Sequence, residues 1–163
     1  MTAVEINDTN RHAANALIEK YFFTLDMVCR GEVIAMQTQD GFLCEKDGIF
    51  VGVITFMRRG DMLDITALCT DVQGQGVGTM LLTMVKEQAV LQNMAGVSLI
   101  TTNDNLNALY FYQRQGFLLS HADIGAVTRA RAIKPQIPLF GEYDIPIKDE
   151  LELVWRTQFK AKA

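Results

Sequence analysis

No stretch of this sequence stays apolar for the roughly 18 residues that a bilayer-spanning helix needs. Its opening, MTAVEINDTNRHAAN, has neither the basic start nor the apolar core of a signal peptide. A cytoplasmic protein with no membrane partner is expected. Cysteine is scarce: Cys29, Cys44 and Cys69 are odd in number, far apart and free of any CxxC or Cys/His cluster. Neither a disulfide framework nor a zinc site is suggested, and no metal is expected. A dominant charge is lacking too. The formal net charge is −4, with Lys and Arg scattered rather than striped, so there is no electrostatic footprint for nucleic acid. Lys160 and Lys162 read as a solvated tail. Repeats, low-complexity segments and linkers rich in Pro, Gly or Ser are absent. What is present, 163 residues of which 49% are hydrophobic, suits a single domain over 1–163 with a substantial core.

Periodicity orders the elements. Residues 9–21 (TNRHAANALIEKY) set Ala13, Ala14, Leu17, Ile18 and Tyr21 at helical spacing behind a cap at Thr9 or Asn10. GFLCEKDGIFVGVITFMRR then reads as two antiparallel strands joined at Lys46-Asp47-Gly48, because Asp-Gly is a strong hairpin signal. MLDITALCT (62–70) is a third strand. The helix that follows carries Val77, Met80, Leu81, Met84, Val85 and Val90, with Gly96 as its expected C-cap. VSLIT is a short buried strand, NLNALYFYQRQ a helix closed by Gly116, and FLLSH another strand. Residues 124–133 read as a helix ended by Lys134-Pro135, followed by an extended connection through Pro138 and Pro146. ELELVWRTQF alternates as a half-buried strand does.

Between the third strand and its helix lies QGQGVGT, residues 73–79. Glycine admits backbone angles that a Cβ forbids and lets another molecule approach the main chain. A helix N-terminus adds unpaired N–H groups and partial positive charge. Strand, glycine turn and helix start together suit an anion, and phosphate is the obvious guest. A P-loop would need Lys after its last glycine, where Thr79 stands; a dinucleotide fingerprint would need glycine at 79 and an opening βαβ unit.

The register Gln73-x-x-Gly76-x-Gly78 after a strand, with Asn105-x-x-Ala108-x-x-x-Tyr112 and Gly116-Phe117 after a second strand, resembles the GNAT superfamily of acyl-CoA-dependent N-acetyltransferases, over roughly residues 40–120. The resemblance implies an α/β fold with a mixed, mostly antiparallel central sheet flanked by helices, and acetyl-CoA as cosubstrate. By the same resemblance, Gln73 opens a loop whose amides at Gly74, Gln75, Gly76, Val77, Gly78 and Thr79 hold the pyrophosphate. Thr66, Ala67 and Leu68 would bind pantetheine and the thioester carbonyl. Asn105, a helix cap on its own chemistry, would also touch the pantetheine arm. Tyr112 would protonate the leaving thiolate, which a phenol of pKa about 10 can do at neutral pH.

The implied reaction is direct attack of a primary amine in a ternary complex, without a covalent enzyme intermediate. Such an amine, of pKa about 10, must first lose a proton. Asp64 is the candidate base, sharing a face with Thr66 and Leu68 by period two; a solvated or turn-capping aspartate is the alternative. Cys69 has no His neighbour in sequence and reads as a buried structural thiol. The segment 122–149, with the TTNDN loop, resembles a bacterial subgroup of the superfamily. Arg131 either pairs with an acid of its own chain, such as Glu150, or meets a substrate carboxylate. Arg30, in the CRGE turn, would approach the same mouth. The expected acceptor is a small-molecule amine, with a homodimer admitted. Two other readings keep the fold: a transferase of a longer acyl-CoA, and a non-catalytic acyl-CoA-binding regulatory module.

Overall fold

The computed structural model describes residues 1–158, so Lys160 and Lys162 lie outside the described residues. In chain order the elements are β1 (Thr2–Glu5), α1 (Arg11–Phe22), β2 (Asp26–Cys29), β3 (Glu32–Ala35), β4 (Asp40–Lys46), β5 (Ile49–Arg59) and β6 (Met62–Thr70). Then come α2 (Val77–Leu91), β7 (Gly96–Thr102), α3 (Leu106–Arg114), β8 (Leu118–Asp123), α4 (Ala126–Ala130) and β9 (Glu150–Arg156). This is a mixed α/β fold with a seven-stranded central sheet and a separate two-stranded sheet of β2 and β3. Two compact units divide the chain, and each is built from segments distant in sequence.

Among the described residues the first unit comprises Met1–Asp26, Ala35–Val97 and residues 156–158. Its strands run β1-β4-β5-β6 with every neighbouring pair antiparallel. Asp47 and Gly48 turn β4 into β5 with φ of 53° and 79°, the two positive angles that a two-residue hairpin turn requires. Ala14, Leu17 and Ile18 form the buried stripe of α1, and Val77, Leu81, Leu82, Val85 and Ala89 that of α2, as the 3.6-residue period dictates. Asn10 is the N-cap residue of α1, yet its side chain makes no capping bond and instead accepts the Asn7 N–H at 2.8 Å. Gly96 does not cap α2. The left-handed residue after the helix is Asn93, at φ 54°, a residue that tolerates that region almost as glycine does; Gly96 opens β7 instead.

The second unit comprises Met27–Ile34 and Ser98–Trp155, with strands in the order β7-β9-β8 and β8 antiparallel to β9. Leu99, Phe117 and Leu153 are its most deeply buried side chains. The CRGE turn proves to be the tip of the β2–β3 hairpin, with Arg30 and Gly31 at φ of 54° and 74°. The helix expected over 124–133 shrinks to α4. Beyond it, Ala132 and Ile133 donate to Arg129 O and Ala130 O in tightened turns, and the Lys134 N–H makes a last bond to Ala130 O before Pro135, which cannot donate.

Candidate active site

In the first unit, β6 and the loop that leaves it carry most of the residues singled out from the sequence. The β5–β6 ladder is interrupted: Ile65 faces Phe56 and Ala67 faces Thr55, so Thr66 is an extra residue on β6. A bulge of this kind bends the strand and re-aims side chains. It also breaks the period-two parity assumed from the sequence. Asp64 stands opposite Met57 and Ala67 opposite Thr55, on one face, whereas Leu68 stands opposite Ile54 on the other. Leu68 therefore does not share the face of Asp64. Thr66 does keep to it, since its hydroxyl lies 2.8 Å from that of Thr55.

Asp64 is not a solvated side chain. It is 2% exposed, and its Oδ2 accepts from Arg59 Nε at 3.0 Å. One residue before the end of β6, burial pushes the Cys69 thiol up to about 12, which leaves no thiolate for nucleophilic chemistry at neutral pH.

The loop is anchored at its entry. Asp71 N–H donates to Val51 O at 2.7 Å, and its carboxylate accepts from Lys20 Nζ at 2.7 Å and from Tyr21 at 2.6 Å. The Lys20 ammonium, then the Tyr21 hydroxyl, hold the Asp71 carboxyl below its usual range. Past this anchor the backbone bends through Gly74 at φ 69° and Gly76 at φ 79°, angles that disfavour any side chain. An added Cβ at either glycine would meet nothing within 4 Å, so at Gly74 and Gly76 the bare backbone faces open space. Gly76 is the N-cap of α2, without a side-chain cap and with no acid in the first turn. Met80 N–H makes the first helical bond, to Gly76 O at 2.9 Å. The amides ahead of it belong to the helix end that carries positive charge. Space, donors and field fit a pyrophosphate: the loop can approach an anion closely and no carboxylate of the first turn repels it.

In the second unit, Asn105 Oδ1 accepts the Ala108 N–H at 3.1 Å, which makes it the N-cap of α3. Tyr112, on the last turn of α3, is buried, and its ring meets those of Phe111 and Phe117 edge-on at 5.1 and 5.5 Å. Such pairs fix the ring's orientation. The rest of TTNDN holds the connection that leads to β9. Asn103 Oδ1 accepts the N–H groups of Lys148 and Asp149, and its Nδ2 donates to Pro146 O. Asp104, buried, accepts from Thr102 Oγ1 and from the Glu142 N–H at 3.1 Å. Arg131 finds its internal partners among carbonyls rather than at Glu150: Ile137 O at 3.1 Å, Pro138 O at 2.5 Å and Ile147 O at 2.8 Å. Glu150 instead accepts the main-chain N–H of Arg30 at 3.1 Å, while Arg30 Nη1 reaches Glu152 at 2.8 Å.

A family model described as "Acetyltransferase (GNAT) family" matches residues 10–117. The chain belongs to the GNAT acetyltransferases. Among its relatives is protein YxbD of Bacillus subtilis (strain 168), 37% identical over 145 residues that cover 88% of this chain and 91% of YxbD. At the level of fold, this GNAT chain is similar to a Bacillus subtilis acetyltransferase solved in complex with CoA, with TM-score 0.74, 17% identity and coverage of 95% and 97%. A GNAT family acetyltransferase from Elizabethkingia anophelis with acetyl-CoA bound is similar at TM-score 0.68 and 17% identity, with coverage of 96% and 97%.

Two features of this GNAT chain escaped the sequence reading. Glu150 is a carboxylate buried in the second unit, and its pKa is raised by desolvation; alternation along β9 gave no sign that its first residue would be enclosed. Lys46 reaches Gln75 of the glycine loop. The Asp-Gly pair that marks its hairpin was visible, but nothing in the sequence says that the hairpin ends beside α2.

Proposed function

We propose that the protein transfers the acetyl group of acetyl-CoA to the primary amine of a small molecule by direct attack. The observation that carries this reading is the 73–79 loop, a bare glycine backbone ending on an uncapped, acid-free helix start. Acetyl-CoA supplies an acetyl thioester activated for attack. The amides of Gly74 to Thr79, after Gln73, hold the pyrophosphate, and Thr66, Ala67 and Leu68 bind the pantetheine arm where the bulge at Thr66 interrupts the ladder. Asn105, already committed as a helix cap, orients the start of α3 and meets the same arm. Tyr112 donates the proton to the departing thiolate, its ring braced by Phe111 and Phe117. Asp64 takes a proton from the acceptor's ammonium, which frees the neutral amine to attack the thioester. No acyl-enzyme is invoked, in keeping with the buried Cys69 thiol and its raised pKa.

A small acceptor is favoured because the connection ahead of β9 is tied down by Asn103, Asp104 and Arg131. A peptide-length groove there would have to displace these bonds. Arg131 then braces the wall of the acceptor site rather than meeting a substrate carboxylate, and Arg30 orders the hairpin tip. The proposed location is the cytoplasm; as a separate fact, no helix among the described residues is long and apolar enough to cross a membrane.

The test is release of free thiol from acetyl-CoA across a panel of small amines, with long peptides as comparison. Turnover with at least one small amine is expected. Tight coenzyme A binding without turnover on any acceptor would instead make the protein a ligand-binding regulatory module.

A further inference from the structure

We propose that Lys46 is the cationic arm of the glycine loop, its ammonium pairing with the pyrophosphate of coenzyme A. The inference rests on the acetyl-CoA reading above and adds a residue that lies outside the loop. Lys46 is the last residue of β4, immediately before the Asp47-Gly48 turn. The ladder beside it is irregular: Cys44 pairs with Gly52 but Glu45 pairs with Phe50, so Val51 is an extra residue that re-aims the end of the hairpin.

Gly52 lets that hairpin sit directly on the start of α2. A Cβ there would lie 2.5 Å from Val77 Cγ1 and 3.2 Å from Leu81 Cδ1, so the bare backbone is what admits the helix. Cys44 Sγ and Met80 Sδ, 4.0 Å apart, make a second contact between the same two elements. The hairpin end and the first helical turn are thereby packed together, and Lys46 Nζ donates to Gln75 Oε1 at 2.5 Å.

The charge balance supplies the reason. Residues 71–80 (DVQGQGVGTM) contain no basic side chain and one acid, Asp71, already bonded to Lys20 and Tyr21. A pyrophosphate bridge carries two negative charges at neutral pH, whereas a helix start offers the equivalent of about half a positive charge. A full cation is missing from the loop itself. Lys20 is spent on Asp71. Lys46, by contrast, is held by a neutral amide and makes no ion pair among the described residues. Gln75 positions the ammonium beside the loop amides without neutralising it, and a phosphate oxygen is a stronger acceptor than the amide it would replace.

The experiment is calorimetric titration of the wild-type protein, Lys46→Gln and Lys46→Arg with coenzyme A and with dephospho-coenzyme A, which lacks the 3′-phosphate, at low and high salt. Lys46→Gln is expected to weaken both ligands by the same factor, about ten-fold at low salt. The difference should shrink as salt rises, and Lys46→Arg should restore most of the affinity. Thermal melts of the variants confirm that they are folded. A loss seen with coenzyme A but not with dephospho-coenzyme A would move Lys46 to the 3′-phosphate and overturn the proposal. Unchanged affinity for both ligands in Lys46→Gln would overturn it as well. A wild-type protein that binds neither ligand would fail differently, by removing the acetyl-CoA reading itself.

Discussion

Adding one methyl group at Gly52 should both destabilise the protein and weaken its hold on coenzyme A. The new Cβ would sit 2.5 Å from Val77 Cγ1, 3.2 Å from Leu81 Cδ1 and 3.3 Å from Cys69 O. Carbon atoms rest at about 3.5–4.0 Å from one another, so Val77 must retreat by about 1 Å. It cannot do so by turning its side chain, because a β-branched residue in a helix has one strongly preferred rotamer and this one is buried. The first turn of α2 must move instead. Overpacking of this kind costs about 1–3 kcal/mol, and the smaller entropy of alanine in the unfolded chain returns about 0.4–1 kcal/mol. The net loss of about 1–2 kcal/mol corresponds to a fall in Tm of roughly 2–8 °C for a chain of this size. Differential scanning calorimetry measures the first effect and titration with coenzyme A the second, since the Val77 and Gly78 amides move with the turn. Adding Val77→Ala removes the obstructing methyl, so the double variant should recover part of both losses, a coupling that independent sites would not show. Gly52→Ala melting with the wild type and binding coenzyme A equally well would refute the packing argument.

Tyr112→Phe should keep coenzyme A affinity and lower turnover by about 10²; a wild-type rate would return the ring to ordinary packing. Asp64→Asn should move the acidic limb of the pH–rate profile, and a limb that stays in place would remove Asp64 as the base. Glu150 has its pKa raised by burial. The folded state therefore binds its proton more tightly than the unfolded state, and the cost of holding it ionised is present at neutral pH and fades as pH falls through the raised folded value toward the ordinary carboxylate range. Glu150→Gln should raise Tm at pH 7, with the gain vanishing in acid; a pH-independent difference would contradict this. Gly141→Ala places a methyl on the Asp104 carboxylate, which bonds Thr102 and the Glu142 N–H. It should cost about 2–4 kcal/mol by chemical denaturation, and a neutral variant would mean that the connection does not depend on Asp104.

Much of this arrangement was legible where a residue type answers a local backbone demand. Asp47-Gly48 announced the β4–β5 turn, Asn105 its own cap, and the three glycines of 73–79 an exposed main chain. Legibility ended where the determinant lay elsewhere in the chain. The bulge at Thr66 is a property of two strands, and period-two counting along β6 alone placed Leu68 on the wrong face. β1, β2 and β3 have only four residues each, too few for alternation to rise above chance, and Arg30-Gly31 is not one of the usual hairpin pairs. The sequence sets Arg131 against acids because side chains are what a sequence displays. Its partners are carbonyls six, seven and sixteen residues away, and every residue has a carbonyl. Gly96 reads as the end of α2 because glycine is the usual left-handed residue, whereas Asn93 holds that angle three residues earlier.

The central claim, that the backbone of 73–79 receives the pyrophosphate of acetyl-CoA, is tested most directly by amide chemical shifts of the 15N-labelled protein titrated with coenzyme A. The account predicts that the largest shifts fall on the amides of Gly74, Gly76, Val77 and Gly78, saturating together at one equivalent, with smaller ones at Gln75 as Lys46 changes partner. Saturable binding that leaves those amides unmoved and shifts another region of the chain would contradict it.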